Sequence, residues 1–260
     1  MNATAFAIKS VSETRSGSRS LAIGRTVAVL FFSFCALAEI VLIIPFVRRR
    51  HRLHERAVWL HNWCRFACRV LGIGVAARGS IPHSGLLVCN HLSYLDIIVI
   101  SSLWPCVFVA KRAVKTWPLF GWLASAAGTI FTDRTSKLAS RAAVDLVRKA
   151  IGSGVLVVLF PEGTSSDGAS VLPFKSALLA PAVESHCHMT AAAIDYSLTN
   201  GSVADEVCYW RDMTLIPHLL NLFTKHSIDA KLAISCYTAS RTDRKELARN
   251  LRRQIGEMRS

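Results

Sequence analysis

The spacing of apolar positions changes character along this 260-residue chain. Residues 1–20 are Ser-rich, polar and basic, which predicts a mobile basic tail over residues 1–25. Val27 to Val47 then reads VAVLFFSFCALAEIVLIIPFV, with Glu39 as its single charge. That run has the length of a bilayer-spanning helix. It is too long for a cleaved leader, and no small-x-small cleavage pattern follows it. Next, Leu53, Ala57, Leu60, Cys64, Ala67 and Leu71 recur at steps of three and four, which predicts a helix over 53–75. Trp59, Trp63, Arg65 and Arg69 give it the aromatic and basic make-up of an interfacial helix, though the same period also suits a helix packed on a core. Residues 26–78 are therefore read as a spanning or re-entrant helix plus an amphipathic helix.

From Leu86 the period shortens. Leu86–Cys89, Cys106–Ala110, Thr129–Thr132, Val155–Phe160, Thr190–Tyr196 and Lys231–Ser235 read as strands. Helix patterns lie between them near Tyr94–Leu103, Leu119–Ala126, Ser136–Gly152 and Lys175–Ser185. The C-terminus is an amphipathic helix with Leu247, Leu251 and Ile255 on one face, opened by Asp243 and Glu246 as a capping box. This alternation predicts an α/β fold for residues 79–260: a largely parallel central sheet flanked by helices, with the membrane-binding helical segment ahead of it.

Charge refines the picture. There are 31 Lys+Arg against 17 Asp+Glu, a net +14. About +10 of it lies in 1–25, around 48–56 and in the last twenty residues, while 57–240 is only mildly basic. The basicity thus flanks the apolar run and ends the chain, where it suits anionic lipid. A nucleic-acid binder would carry basic and aromatic residues on one domain face, so nucleic acid is not an expected partner. The cluster RRRHR at Arg48–Arg52 favours the cytoplasmic side, predicting a catalytic domain on the cytoplasmic face of the inner membrane. Lys9, Arg15, Arg19 and Arg25 precede the run, and a re-entrant hairpin would put both basic flanks on one side. Glu39 within the run marks either a polar partner in the membrane or a shallow helix whose carboxylate faces protein. The eight cysteines, with no C-x-x-C among them, suggest buried free thiols in a reducing compartment.

Three motifs carry chemistry. In LLVCNHLSYLD, a strand ends in Asn90-His91 and Asp96 follows. A carboxylate on one ring nitrogen would leave the other as a base; alternatively, Ser93 and Asp96 form a capping box and His91 is structural. In VLVVLFPEGTSSDG, Pro161 stops a strand and Gly163 permits a tight turn. Its N–H groups suit an anion or oxyanion, unless it is an ordinary loop. In GTIFTDR, Arg134 at a strand end suits a phosphate, unless it pairs with Asp133. Lys111, Arg112 and Lys175 are further phosphate candidates. All three motifs fall at strand C-terminal ends, where α/β sheets place their sites.

NHLSYLD, GTIFTDR and FPEGTSSDG, with VAKRAVKTWPLFGWLASAAG, resemble the blocks of the glycerolipid acyltransferases of the 1-acylglycerol-3-phosphate type, the first matching the N-H-x4-D signature. The resemblance covers roughly residues 80–200. It implies a membrane-bound O-acyltransferase. His91 deprotonates the hydroxyl of a lyso-lipid, whose oxygen attacks the thioester of acyl-CoA or acyl-carrier protein, and Asp96 orients the histidine. Arg134, Glu162, Gly163 and Thr164 hold the acceptor's head, with Asn90, Lys111 and Lys175 as further substrate-binding residues. No metal, nucleotide cofactor or covalent acyl-enzyme is required. Phosphatidic acid stands first as product because that reaction dominates the family. The third block departs from the pattern, with Ser165 where the family commonly carries Arg. VCYWRDMTLIPHLLNLF (Val207–Phe223) is similar to the branch holding lyso-ornithine lipid acyltransferases.

Other chemistries fit less well. A serine hydrolase would want G-x-S-x-G and a nucleotide site a P-loop; neither occurs. His186, Cys187 and His188 lack a second ligand cluster, and Cys64 and Cys68, one helical turn apart, are expected in the core.

Overall fold

The computed structural model describes residues 18–80, 82–132, 137–180, 183, 188–237 and 243–259. The N-terminal apolar run is helical over Arg19–Ile43 (α1), beginning well before Val27. Ser18 starts it, its hydroxyl oxygen accepting from the Leu21 N–H at 3.3 Å. Arg25, expected in the tail, therefore lies inside the helix and is 6% exposed. Short turns at Ile44–Phe46 and Arg49–His51 lead into α2 (Arg52–Leu71), which returns antiparallel along α1. The Trp59 indole donates to the Ala36 carbonyl at 3.1 Å, and Phe32 packs edge-on to Phe66 at 4.5 Å. Glu39 accepts the Trp63 indole N–H at 2.7 Å, so the carboxylate's partner comes from its own hairpin.

The predicted helix over 53–75 stops short, at Gly72, which takes a left-handed φ of 68°. A Cβ there would sit 2.6 Å from the His226 carbonyl oxygen and 2.7 Å from the Arg25 guanidinium. Only glycine closes a helix in that space. The chain then enters β1 (Ile73–Arg78), a strand the sequence pattern did not reveal. The remaining strands are β2 (Gly85–Cys89), β3 (Cys106–Lys111), β4 (Ile130–Thr132), β5 (Leu156–Leu159), β6 (Met189–Ser197) and β7 (Ile228–Tyr237). They form one sheet of order β1-β7-β6-β2-β5-β3-β4. Every pairing is parallel except β6 with β7.

The helices α3 (Leu95–Leu103), α4 (Phe120–Ala126), α5 (Lys137–Gly152), α6 (Leu215–Phe223) and α7 (Arg244–Arg259) complete the α/β fold. The helix expected over 175–185 opens, among the described residues, as the 3-10 turn Ser176–Leu179, with Ala180 and Val183 helical beyond it. One sheet face packs Leu87, Cys89, Phe108, Val158 and Ile194 against α2, α3 and α6. The other packs Leu86, Val88, Val157 and Ala191 against α5 and α7. Central β2 is buried throughout, which explains its unbroken apolar run. Cys64 and Cys68 are buried on α2, as expected of core residues.

Candidate active site

β2 and β5 are neighbours in register, Leu86 opposite Val157 and Val88 opposite Leu159. Their C-terminal ends therefore deliver Asn90-His91 and Phe160-Pro161-Glu162 side by side. His91 Nδ1 lies 2.7 Å from Asp96 Oδ2. The histidine side chain is 21% exposed and the aspartate fully buried. An ionised carboxylate only accepts, so Nδ1 carries the proton and Nε2 keeps its lone pair. The His91 ring stacks on Phe160 at 4.2 Å and 15°, and Phe160 in turn stacks near Phe108. One ring face is thereby shielded by hydrocarbon.

The carboxylate that meets His91 also binds the backbone of the turn between them. Oδ2 also accepts from the backbone N–H groups of Leu92 at 2.7 Å and Ser93 at 3.1 Å, which is the acidic half of a capping box. The serine half is not made, since Ser93 Oγ has no hydrogen-bond partner among the described residues. The other oxygen, Oδ1, accepts from the Tyr196 hydroxyl at 2.7 Å. Tyr196 comes from β6, a hundred residues beyond Asp96, and no local motif pointed to it.

Glu162 is 2% exposed and takes the His91 backbone N–H on Oε1 at 3.1 Å. Its Oε2 has no hydrogen-bond partner among the described residues. Burial pushes the Glu162 carboxyl up to about 7, opposed by the His91 and Leu172 amides and helped by the charge on Asp96. Glu162 therefore braces the backbone of the His91 turn. The Ser166 N–H reaches the His91 carbonyl at 3.0 Å and ties the two motif loops together.

Of the other expected site residues, Asn90 and the Gly163 amide take roles different from those expected. Asn90 is fully buried, and its amide donates to the Ile194 carbonyl at 3.0 Å while accepting the Ile194 N–H at 2.8 Å. Both ends of the side chain are spent clamping β2 to β6, so it holds the site's frame and not a substrate. Gly163 has φ 72°, but its N–H closes the turn on the Phe160 carbonyl at 3.1 Å and is not presented to an anion. Thr164 and Lys175 are exposed beside the site, the Lys175 N–H bonded to the Pro161 carbonyl at 2.8 Å. Lys111 is exposed at the end of β3, one strand beyond β5. Arg134 and Asp133 lie outside the described residues, as do His186 and Cys187 of the metal candidate; His188 is exposed ahead of β6.

Two elements brace the site in ways the sequence did not announce. The basic C-terminal helix turns Arg259 inward: Nη2 donates to the Gly168 carbonyl at 2.7 Å and Nε to Asp195 at 2.9 Å. Arg252 donates to the Val171 carbonyl at 2.9 Å. Part of the terminal charge thus fastens the loop after Glu162. The segment before α6 is held at Tyr209, whose N–H donates to the Leu92 carbonyl at 2.8 Å and whose carbonyl accepts the Ser165 hydroxyl. Between the hairpin and the domain lies an almost wholly apolar cavity of about 230 Å³, lined by Phe32, Trp63, Tyr94, Phe108, Trp117 and Leu219 among others. Phe108 and Tyr94 connect its wall to the His91 turn.

A family model described as Acyltransferase matches residues 73–195. A lyso-ornithine lipid O-acyltransferase of Rhizobium meliloti (strain 1021) is 33% identical over 217 residues, covering 77% of this chain and 74% of that one. A 1-acyl-sn-glycerol-3-phosphate acyltransferase of Neisseria gonorrhoeae is 34% identical over 143 residues, covering 52% and 56%. The crystal structure of the 1-acyl-sn-glycerophosphate (LPA) acyltransferase PlsC from Thermotoga maritima has the same fold, with a TM-score of 0.62 at 20% identity over 94% of this chain and 98% of that one. One-third identity sustained across about three-quarters of both sequences is kinship, and the chain belongs to the acyltransferase family.

Proposed function

We propose that this acyltransferase moves a fatty acyl group from a thioester, acyl-CoA or acyl-carrier protein, to the free hydroxyl of a lyso-lipid, with His91 as general base. The observation that carries the reading is the partly exposed His91 ring, held on Asp96 through Nδ1 at the mouth of two adjacent strands. Nε2 takes the proton of the acceptor hydroxyl as its oxygen attacks the thioester carbonyl. The tetrahedral adduct collapses, the C–S bond breaks, and the imidazolium returns the proton to the departing thiolate. Asp96 stabilises the imidazolium in between. The apolar cavity is suited to an acyl chain, so that binding energy remote from the reacting atoms fixes their approach.

Two observations favour lyso-ornithine lipid as acceptor over 1-acylglycerol-3-phosphate. The likeness to the Rhizobium enzyme runs over three-quarters of the chain, while that to the Neisseria enzyme spans about half. Where the family commonly carries an arginine for the head group, Ser165 turns its hydroxyl to the Tyr209 carbonyl. Purified protein in detergent, given long-chain acyl-CoA or acyl-carrier protein, should acylate lyso-ornithine lipid with kcat/KM at least about 10-fold above that for lysophosphatidate. The reverse order returns the acceptor to the phosphate lipid, and no transfer to any lyso-lipid overturns the function.

The membrane reading also gains detail. Within the Arg19–Phe46 segment an 18-residue stretch reaches a mean hydropathy of 2.8. Ile23, Val27, Leu30, Phe31, Phe34, Leu42 and Phe46 are exposed along it. Yet both ends of the hairpin are fastened to the domain. The Ser18 N–H bonds the Thr224 carbonyl at 3.2 Å, and α2 runs directly into β1 while packing on α3 and β3. A helix that lies along its own domain suits insertion into one leaflet better than crossing, with the Arg48–Arg52 cluster on the cytoplasmic face of the inner membrane. The double variant Phe31→Glu, Phe34→Glu should partition onto anionic liposomes about 100-fold more weakly. Some binding should persist, because Trp122 on α4 and Ile216 and Leu220 on α6 are also exposed and these helices flank α1. Unchanged partitioning would count against the hairpin as the anchor.

A further inference from the structure

We propose that Tyr196 is a positioning residue for catalysis, the third member of a His91–Asp96–Tyr196 relay in which its hydroxyl sets both the orientation and the basicity of the dyad. The inference rests on His91 acting as the base. Asp96 is fully buried, so its carboxylate oxygens must be satisfied inside the protein. Oδ2 is shared by His91 Nδ1 and the Leu92 and Ser93 amides. Oδ1 has the Tyr196 hydroxyl at 2.7 Å. With donors on both oxygens the carboxylate plane is fixed, and with it the direction of His91 Nε2.

The fold delivers this hydroxyl by a rigid route. Asn90, the residue before His91, holds the backbone of Ile194 through two hydrogen bonds. Tyr196 stands two residues further along β6 and so projects from the same sheet face as Ile194. Both belong to the core cluster beneath α3, the helix that carries Asp96. The clamp at Asn90 thereby sets the position of Tyr196 relative to the histidine. Burial and the neighbouring Asp96 charge push the Tyr196 phenol well above its ordinary range, so it remains a donor at every working pH.

A donor on Oδ1 draws off part of the negative charge that His91 would otherwise feel. Without it the carboxylate is more basic and holds the imidazolium more tightly. The histidine then keeps its proton to higher pH, where it cannot serve as base. Tyr196→Phe should accordingly move the acid limb of the kcat/KM profile upward by about one pH unit. It should lower kcat at the plateau roughly 10-fold and leave KM for both substrates within about twofold. Tyr237→Phe, the same change on β7 facing the opposite core cluster, should leave the profile in place. If Tyr196→Phe does not fold, site-specific 3-fluorotyrosine at 196 offers a stronger donor of nearly the same shape and should move the acid limb downward. An acid limb unmoved by whichever of the two variants folds, or a loss confined to KM, overturns the role. Activity retained by His91→Ala would instead remove the base on which the inference rests, so the two failures are distinct.

Discussion

His91→Ala is expected to lose between about 10² and 10⁴ in kcat for acyl transfer while the protein stays folded. The ring contributes little that the fold needs. It is partly exposed, its backbone N–H goes to Glu162 and its carbonyl to Ser166, and these bonds survive truncation at Cβ. What disappears is, among the described residues, the one imidazole held at this strand mouth against a buried carboxylate. Asp96→Asn should also lose activity, but with a cost in stability, because Oδ1 and Oδ2 together satisfy Tyr196 and two backbone amides as well as the histidine. Turnover by purified His91→Ala against wild type, with circular dichroism and thermal unfolding alongside, separates these outcomes. Activity within about threefold of wild type would remove His91 from the mechanism.

The second large effect concerns stability. Arg25→Ala is expected to cost about 3 kcal/mol and to lower the apparent Tm in detergent by roughly 6–12 °C. Arg25 is almost completely buried, and its guanidinium gathers carbonyls from two helix ends. Nε donates to Val70 at 3.0 Å, Nη1 to Phe223 at 3.3 Å and to Lys225, and Nη2 to His226 at 3.3 Å. Val70 lies in the last turn of α2, and Phe223, Lys225 and His226 at and beyond the end of α6. Helix C-termini leave such carbonyls without intrahelical partners, and a cation there also meets the negative end of the dipole. Arg25→Lys should recover only part of the loss, since an ammonium cannot span the same fork of acceptors. A fall in Tm below about 3 °C for Arg25→Ala would show that water or backbone shifts replace the arginine.

Much of this protein was legible in its sequence because the α/β alternation is strong. The strands ending at Cys89, Lys111, Thr132, Leu159 and Ser197 fell within a residue or two of their apolar runs. What escaped has physical causes. β1 was absorbed into the period of α2, since it is a largely exposed edge strand whose pairing comes from β7, far along the chain. The antiparallel turn of β7 against β6 leaves no mark on either strand's pattern. At the site, His91, Asp96 and Glu162 were recognisable because their motifs are local. Asn90 shared the motif but is spent on Ile194. Tyr196 was invisible because its partner is named only by sheet order. Arg25 looked like tail charge because a cation's partners here are backbone carbonyls, which no side-chain pattern records.

The cavity between hairpin and domain has a kinetic consequence. Its walls come from α1 and α2 on one side and from α3, α4 and α6 on the other, so a chain held there remains at the depth of the exposed α1 face. Under the proposed function, an acceptor would reach the histidine by lateral diffusion in a plane without entering bulk water, while a soluble thioester would arrive from outside that plane. The quantity governing saturation would then be the mole fraction of lyso-lipid in the surface. Diluting acceptor with inert detergent or phospholipid at constant total amount should slow the reaction, and adding more surface of the same composition should not.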